Sequence, residues 1–338
     1  MGELRTVLVT GGAGFIGSCY VRRALREHPA WRLVVLDKLT YSGNLANLRD
    51  VRDRITFVRG DVAEPADAAR SMDGADAVVN FAAESHVDRS LLDPRPFVRT
   101  NVEGTLVLLE QARKTGLARF CQVSTDEVYG ELAPADRSSR EADPLRPRSP
   151  YAATKAAADH LAFSYAASCG LDVVVTRGSN TYGPYQYPEK IISLFVTNAI
   201  DDRPLPLYGD GSAVRDYLYV EDHAAGIDAV LLRGQAGQIY NLGARSQIDG
   251  RTVAETILRL LDKPAELMAF VTDRPGHDYR YSVDPSVAEA LGWRRKWSFD
   301  EGMAHTVRWY AENQSWWREV KQRPAFQDHQ QRWYGQRA

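Results

Sequence analysis

Residues 10–17 read TGGAGFIG, and this short stretch decides the fold class. It follows an apolar run, RTVLVT at 5–10, and it precedes a helical pattern. Gly11, Gly14 and Gly17 recur at every third position, which is a variant of the glycine fingerprint of dinucleotide-binding proteins. The first glycine permits a tight turn, the second lets a pyrophosphate approach the backbone, and the third lets the helix pack on the strand. The helix N-terminus then offers free N–H groups to the diphosphate.

Short apolar runs alternate with helical patterns along the first half of the chain. The runs hold Val, Ile or Phe at successive positions, which is typical of parallel strands covered on both faces. This β-α-β rhythm predicts an α/β protein with a Rossmann-type, doubly wound parallel sheet. We expect strands at 5–10, 33–36, 55–58, 77–81, 120–124 and 172–177, and helices at 15–27, 96–115 and 151–168.

The rhythm changes near residue 180, where prolines and glycines interrupt shorter elements. We therefore expect a dinucleotide-binding domain with the catalytic residues over 1–180. A smaller C-terminal lobe over 181–317 would bind the substrate, and 318–338 would form a tail that packs a few aromatic side chains. Because no Gly/Ser-rich linker is present, this lobe is expected to be interleaved with the sheet domain.

The composition argues against several classes of protein. The 42 basic and 44 acidic side chains give a formal net charge of −2, so no broad attraction to nucleic acid or anionic lipid is expected. No apolar stretch approaches the ~18 residues of a membrane span, and no signal-peptide core is seen. The three cysteines lie far apart, and no ligand grouping has metal-site spacing. We predict a cytoplasmic protein without a metal site.

Asp37 lies twenty residues after Gly17, at the end of the predicted second strand. A carboxylate at this place accepts hydrogen bonds from the adenosine ribose and repels the 2′-phosphate of NADP. Lys38 could soften this discrimination. The carboxylate nevertheless predicts NAD as the cofactor.

Tyr151 and Lys155 lie one turn apart on a predicted Ala-rich helix. A free phenol has a pKa near 10 and is a weak base at neutral pH. A nearby ammonium and a positive nicotinamide ring would favour the phenolate, so that Tyr151 could take a hydroxyl proton as hydride leaves. The alternative is an ordinary helix with a surface lysine. The dinucleotide loop and the Ser124-Thr125 strand end favour the catalytic interpretation.

Motifs spread over about residues 5–317 carry a family resemblance. They are TGGAGFIG at 10–17, YSGNLANL at 41–48, NFAAESHVDRS at 80–90, STDEVYG at 124–130, SPYAATKAAADH at 149–160, SNTYGPYQYPEK at 179–190, PLYGDG at 206–211 and DRPGHD at 273–278. On these residues the chain resembles the nucleotide-diphosphate-glucose 4,6-dehydratases of the extended short-chain dehydrogenase/reductase superfamily.

Asp126 and Glu127 are the most diagnostic pair in these motifs. Related sugar epimerases and decarboxylases also have Ser or Thr before a Val-Tyr-Gly turn, but they need not carry two adjacent acids. A dehydration needs an acid and a base, so the surroundings must separate the pKa values of the two carboxyls. In isolation the pair could also be a solvated acidic turn.

The resemblance implies conversion of dTDP-glucose to dTDP-4-keto-6-deoxyglucose with tightly bound NAD that is regenerated in every turnover. Tyr151, assisted by Thr125, would deprotonate the 4-hydroxyl while hydride moves from C4 to NAD. Glu127 would remove the C5 proton, Asp126 would protonate the departing C6 oxygen, and hydride would return to C6. The alternatives are the same reaction on UDP-glucose or another nucleotide hexose, NAD-dependent 4-epimerisation or decarboxylation, and a non-catalytic dinucleotide sensor.

The resemblance also implies binding roles and an assembly. The cofactor residues would be Gly11, Gly14, Phe15, Ile16, Gly17, Asp37, Lys38, Thr40, Asp61, Val62, Ala82, Ala83, Tyr151 and Lys155. The substrate residues would be Ser85, His86, Asn180, Glu189, Lys190, Tyr208, Arg215, Arg274 and His277, of which the two arginines suit phosphate contacts and the two histidines could equally be structural. A homodimer would form through a four-helix contact of 96–115 and 151–168.

The chain departs from the family pattern at two places. Thr181 stands where a second asparagine usually follows Asn180, and 244–250 read ARSQIDG where an Asn-Glu…Asn pattern is usual. The second departure concerns the contacts to the base and the diphosphate, so it leaves the choice between dTDP and UDP open. The chemistry expected at 125–127 and 151–155 is unaffected.

Overall fold

The computed structural model describes residues 4–273 and 276–334, and in this part of the chain a parallel sheet of seven strands is covered by helices. The strands are β1 Thr6–Thr10, β2 Arg32–Asp37, β3 Ile55–Arg59, β4 Ala77–Asn80, β5 Arg119–Thr125, β6 Val173–Gly178, β7 Asn180–Tyr182, β8 Leu205–Tyr208, β9 Val214–Tyr219, β10 Gln238–Leu242, β11 Gln247–Asp249 and β12 Met268–Val271. The helices are α1 Phe15–Glu27, α2 Pro65–Met72, α3 Val87–Leu92, α4 Arg95–Phe97, α5 Gly104–Thr115, α6 Pro150–Cys169, α7 Ile191–Ile200, α8 Val220–Arg233, α9 Gly250–Leu260, α10 Ser286–Ala290, α11 Phe299–Glu312, α12 Gln314–Gln322 and α13 Pro324–Tyr334. Shorter 3-10 segments lie at Leu45–Arg54, Asp126–Tyr129 and Ala265–Leu267, and a π-helical turn lies at Val98–Glu103.

The strand order in the large sheet is β3-β2-β1-β4-β5-β6-β10, and these neighbours pair in parallel. The carboxyl ends of the strands therefore lie at one edge. The order changes direction between β1 and β4, and ligands bind at such a switch point in doubly wound sheets. Each strand predicted from the sequence is present within one residue of its expected ends. The α/β, Rossmann-type class is confirmed.

The helix predicted over 96–115 is present but contains a wider turn. A π-helical turn separates α4 from α5, and its Asn101 is buried. The Asn101 amide donates to the Glu84 carbonyl at 3.0 Å and to Thr154 Oγ1 at 2.9 Å, and its oxygen accepts from the Glu84 N–H at 2.9 Å. Turns of this kind often occur at functional sites. This one ties the loop after β4 to α6.

The second half of the chain returns to the large sheet and also builds smaller ones. β10 pairs with β6 at the edge of the large sheet, which makes the two parts of the chain interleaved. β7, β9 and β11 form a three-stranded sheet, and β8 pairs with β12. Their apolar core contains Tyr182, Tyr310 and Trp317. The domain boundaries at residues 180 and 317 stay predictions.

The C-terminal segment folds as two helices that pack on the body of the protein. α12 buries Trp317, and α13 buries Phe326 and Trp333. Arg89 donates to the Ala325 carbonyl at 3.1 Å, which fixes the beginning of α13 near α3. Across the described residues, no helix combines the length and apolar character that crossing a membrane requires.

A buried ion pair joins α6 to β6 and supplies the first testable prediction. Arg177 Nε lies 2.9 Å from Asp159 Oδ2, and the two side chains are 2% and 0% exposed. Replacing Arg177 by methionine leaves an uncompensated buried carboxylate, so we expect the free energy of unfolding to fall by about 3–5 kcal/mol. Urea unfolding measures this change.

The matched control for this variant is R26M, which removes an arginine from the exposed pair with Glu27 on α1. Exposed pairs contribute little, so this variant should unfold close to the parent protein. Equal stability losses in the two variants would show that the buried pair does not have the assigned role.

Candidate active site

A cleft of about 1730 Å³, measured with its open mouth, lies along the carboxyl edge of the large sheet. Loops that follow β1 to β6 line it, as expected for a binding crevice at a topological switch point. Every residue assigned to the cofactor from the sequence lines this cleft. So do the five assigned catalytic residues, Thr125, Asp126, Glu127, Tyr151 and Lys155.

The turn between β1 and α1 requires glycine for steric reasons. Gly11 has φ +65°, and a Cβ there would lie 2.7 Å from the Ala82 nitrogen. A Cβ on Gly17 would lie 2.4 Å from the Gly11 carbonyl oxygen. Gly14 caps α1 in an extended conformation without a side-chain hydrogen bond, so the first N–H groups of the helix have no side-chain cap. This arrangement leaves a cradle that suits a diphosphate.

Replacing Gly17 by alanine is expected to damage the cradle, because the new methyl group would meet backbone atoms. Overpacking of this kind costs about 1–3 kcal/mol of folding free energy. We expect G17A to unfold at lower urea concentration and to retain less dinucleotide after purification. The control is G250A, because a Cβ on Gly250 would lie no closer than 3.3 Å to its neighbours. Equal dinucleotide content in the two variants would contradict the role of the turn.

Asp37 lies at the end of β2 with its carboxylate held by the backbone. Oδ2 accepts from the Ala13 N–H at 2.9 Å, and Oδ1 accepts from the Leu39 N–H at 2.8 Å. Burial raises the pKa of this carboxyl, and the two backbone hydrogen bonds oppose the shift. The carboxylate lines the cleft with its orientation already fixed.

The Lys38 side chain pairs with a carboxylate, which bears on whether it weakens the preference for NAD over NADP. Its Nζ lies 2.7 Å from Asp61 Oδ2, and Arg99 lies 3.5 Å from the same oxygen. Lys38 and Arg99 contribute to holding the pKa of Asp61 below its ordinary value, against the effect of its burial. Because the Lys38 charge is paired with Asp61, its attraction for a 2′-phosphate is reduced.

Tyr151 is positioned by the first turn of α6. Ser149 caps this helix, since its side chain accepts from the Ala152 N–H. Burial and the charge of Glu127 raise the pKa of Tyr151, whereas a hydrogen bond with Thr125 lowers it. Lys155 Nζ donates to the Val123 carbonyl at 2.7 Å, and burial lowers the pKa of Lys155 to about 8. A phenolate at neutral pH therefore needs positive charge beyond what the protein itself supplies.

Asp126 is buried beside Thr125 at the end of β5. Thr125 Oγ1 donates to Asp126 Oδ1 at 3.3 Å, and Oδ2 has no hydrogen-bond partner in the protein. Burial, followed by the charges of Glu127 and Asp216, raises the pKa of Asp126 well above its ordinary value. Glu127 is more exposed than Asp126. The raised pKa keeps the proton on Asp126, which suits this carboxyl to the role of general acid.

The raised pKa of Asp126 predicts the sign of a pH dependence. An ordinary aspartic acid loses its proton near pH 3.9, whereas Asp126 stays protonated to a higher pH. The rate of a step that needs protonated Asp126 should therefore persist above the pH at which an ordinary aspartic acid ionises. It should fall as pH rises through the raised pKa. A pH profile of kcat at saturating substrate measures this falling limb. A kcat that rises with pH over the same range would contradict the acid role.

Four of the assigned substrate residues line the cleft. They are Ser85, Asn180, Glu189 and Lys190. Lys190 Nζ donates to the Ser85 carbonyl at 2.9 Å, and Glu189 forms a buried ion pair with Arg89 at 2.9 Å. Arg89 also lies 4.0 Å from the centre of the Tyr41 ring. Arg89 was not predicted to hold Glu189, because an arginine in a helical segment is usually a surface residue.

His86, Tyr208, Arg215 and His277 do not line the cleft as the structure describes it. Arg215 is buried and donates to the backbone carbonyls of Val214, Tyr279 and Asp278 at 2.8–3.2 Å. These contacts differ from the bidentate phosphate contact that was expected. A sequence does not determine the direction of so long a side chain. Arg274 lies outside the described residues. The substrate roles of all five residues stay predictions.

His329 joins His86 and Asp88 in a cluster that sequence spacing could not reveal, because it lies far from them along the chain. The potential ligand atoms of His86, Asp88 and His329 lie within 4.8 Å of one another. Burial lowers the pKa of His329 to about 4, and the positive charges of Arg89 and Lys190 contribute to this shift. Both charges therefore lie near the cluster. Positive charges disfavour a cation. The absence of a metal stays a prediction.

Several buried polar atoms at the cleft have no hydrogen-bond partner in the protein. They are Asp126 Oδ2, Ser179 Oγ, Asn180 Oδ1 and His223 Nε2. Buried polar groups are normally paired, so such a group marks a place for a bound molecule or ordered water. Together with the glycine cradle and the fixed Asp37 carboxylate, they fit a dinucleotide whose nicotinamide end lies near Tyr151.

Comparisons with known proteins identify the family of this chain. The family model for GDP-mannose 4,6 dehydratase matches residues 8–306. A dTDP-glucose 4,6-dehydratase of Streptomyces antibioticus is 48% identical, and the alignment covers 94% of this chain and 96% of that protein. The chain belongs to the nucleotide-sugar 4,6-dehydratases. The family resemblance of the sequence motifs is thereby confirmed.

Solved structures show how widely the 4,6-dehydratase fold is shared. The dTDP-glucose 4,6-dehydratase DesIV of Streptomyces venezuelae, solved with NAD and dTDP, has a TM-score of 0.90 and 48% identity, covering 94% of this chain and 100% of that one. The UDP-glucose 4-epimerase of Thermus thermophilus, solved with NAD, has a TM-score of 0.85 and 34% identity, covering 91% and 99%. Because dehydratases and epimerases share the fold, the reaction must be argued from the site residues.

Proposed function

We propose that this 4,6-dehydratase converts dTDP-glucose to dTDP-4-keto-6-deoxyglucose with bound NAD. The observation that carries the proposal is the pair Asp126 and Glu127, which lines the same cleft as Thr125 and Tyr151. Loss of water from adjacent carbons needs one acid and one base. Burial keeps Asp126 as the acid, and the more exposed Glu127 supplies the base.

The redox part of the reaction belongs to the cofactor. NAD, when bound, supplies the chemistry that takes a hydride from C4 of the sugar and gives it back at C6. Tyr151 accepts the proton of the 4-hydroxyl, and Thr125 holds the Tyr151 oxygen by a hydrogen bond. Lys155 contributes positive charge behind Tyr151 from its fixed position on the Val123 carbonyl. The positive nicotinamide adds the charge that the protein lacks and favours the phenolate.

The elimination is carried by the two carboxyls. A 4-keto group makes the C5 proton acidic, and Glu127 removes it. Asp126 gives its proton to the C6 oxygen, which leaves as water. When hydride returns to C6, Glu127 gives its proton back to C5. The proton that Tyr151 took from the 4-hydroxyl balances the one that Asp126 lost, so proton exchange restores all three groups and the net change is the loss of one water. Such general acid–base steps contribute roughly 10²–10⁴-fold each.

A substrate panel tests the proposal. We expect the purified enzyme to form a 4-keto-6-deoxy product from dTDP-glucose at higher kcat/KM than from UDP-, CDP- or GDP-glucose. The nucleotide base of the preferred substrate is the open question, because residues 244–250 differ from the family pattern. Within this segment, Gln247 accepts a hydrogen bond from Arg280 at 2.7 Å. Preference for UDP-glucose would change the nucleotide, whereas conversion to the C4 epimer without loss of water would replace the proposed reaction by epimerisation.

We also propose that the enzyme is a homodimer through α4, α5 and α6. Val98 and Leu106 are exposed on the first part of this surface, and Leu91 and Leu92 of the neighbouring α3 are exposed as well. Clustered apolar side chains favour association. Light scattering at micromolar concentration should give twice the 37.8 kDa chain mass, and a monomer would contradict the proposal. The cytoplasmic location stays a prediction.

A further inference from the structure

His223 lies at the cleft but belongs to none of the motifs assigned above. It is on the first turn of α8 and is 2% exposed. Its ring packs against Gly178, where a Cβ would lie 2.4 Å from Cε1 and Nε2. Gly178 ends β6 and is the strand partner of Thr125, which ends β5. The imidazole is therefore placed directly beside the catalytic end of the sheet.

The tautomer of His223 follows from its contacts with Thr181. His223 Nδ1 lies 2.6 Å from Thr181 Oγ1, and the same hydroxyl donates to the Ser179 carbonyl at 3.1 Å. A hydroxyl has one proton to donate. Both contacts are satisfied only if His223 Nδ1 carries the ring proton and donates it to Thr181. Burial lowers the pKa of His223 to about 4, so the ring is neutral and Nε2 is a pure acceptor.

This acceptor has no partner within the protein. His223 Nε2 is buried and makes no hydrogen bond, and Ser179 Oγ and Asn180 Oδ1 on the neighbouring segment also lack partners. Residues 178–180 and His223 all line the cleft. An unpaired buried acceptor in this part of the cleft favours a ligand that donates an N–H or O–H group to it.

We propose that His223 Nε2 accepts a hydrogen bond from the carboxamide N–H of the nicotinamide, and that Thr181 holds the ring in the accepting tautomer. This inference rests on the proposed function for the identity of the cofactor. The carboxamide is the hydrogen-bond donor of the nicotinamide ring, and the absence of a side chain at Gly178 lets the imidazole lie against the end of β6. His223 thereby orients the ring next to Tyr151, while Thr181, the departure from the family pattern, acts through His223 as a positioning residue.

Cofactor binding without any sugar nucleotide tests the role of His223. The variants are H223L, which removes the acceptor, and H223Q, whose amide oxygen can take the place of Nε2. Calorimetry on cofactor-stripped protein compares NAD with ADP-ribose, which lacks the nicotinamide. We expect H223L to bind NAD about tenfold more weakly, the loss of one hydrogen bond, and ADP-ribose with parent affinity. H223Q should recover most of the NAD affinity, and T181V should show a smaller loss.

The comparison with ADP-ribose distinguishes a contact to the nicotinamide from a structural role of His223. Unchanged NAD affinity in H223L would overturn the proposal and point to a sugar hydroxyl as the donor. Parallel losses of NAD and ADP-ribose affinity would overturn it as well, because they would show a structural role in the cleft. A parent protein that binds neither NAD nor ADP-ribose would instead refute the proposed cofactor.

Discussion

Replacing Asp126 by asparagine is expected to stop the elimination of water while leaving the first oxidation in place. Asparagine has nearly the shape of the neutral carboxylic acid that burial favours at this position. Its amide can donate a hydrogen bond, but it cannot transfer a proton to the leaving C6 oxygen. We therefore expect turnover to fall by roughly 10²–10⁴-fold with little change in stability.

The D126N variant should reveal where the reaction stops. Because C4 oxidation precedes elimination, mixing the variant with dTDP-glucose should leave reduced cofactor on the protein, visible by its near-ultraviolet absorbance. The control is D53N, which removes an exposed carboxylate outside the cleft and should behave like the parent. Normal product formation by D126N would remove Asp126 from the mechanism.

Replacing Tyr151 by phenylalanine is expected to block the reaction one step earlier. Phenylalanine keeps the ring that packs at the beginning of α6 but removes the oxygen that takes the 4-hydroxyl proton. Thr125 then loses its contact with the Tyr151 oxygen but keeps those with Asp126 and the Glu127 N–H. We expect kcat to fall by at least about 10²-fold, with no accumulation of reduced cofactor. The two variants thus separate oxidation from elimination.

A buried tyrosine outside the cleft is the matched control for Y151F. Tyr20 on α1 is fully buried, and its hydroxyl makes no hydrogen bond in the protein. Y20F removes the same atom from the core without touching the site, so parent-like kcat is expected. Reduced cofactor accumulating in Y151F would show that another group removes the 4-hydroxyl proton.

The sheet and half of the site were accessible from the sequence because local rules determine them. Apolar runs without alternation indicated parallel strands, and the spacing of Gly11, Gly14 and Gly17 indicated the turn between β1 and α1. The i, i+4 spacing placed Tyr151 and Lys155 on one helix face. Each of these inferences needs only a few neighbouring residues, and the structure places all five in the cleft.

The features of the fold and the site that were not predicted from the sequence depend on contacts between segments far apart in the chain. In the π-helical turn, Asn101 donates hydrogen bonds to the Glu84 carbonyl and to Thr154 Oγ1. Helical periodicity in the sequence does not predict these contacts. The direction of the Arg215 guanidinium is set by carbonyls more than sixty residues away. His223 shows the same limit, because only the fold brings it to Gly178.

Transfer of an isotopic label tests the central claim most directly. dTDP-glucose carrying deuterium at C4 is incubated with the purified enzyme, and the product is examined by NMR and mass spectrometry. The proposed dehydration predicts a 4-keto-6-deoxy product in which the deuterium has moved to C6. Deuterium retained at C4 in a sugar of inverted configuration would contradict the account and identify an epimerase.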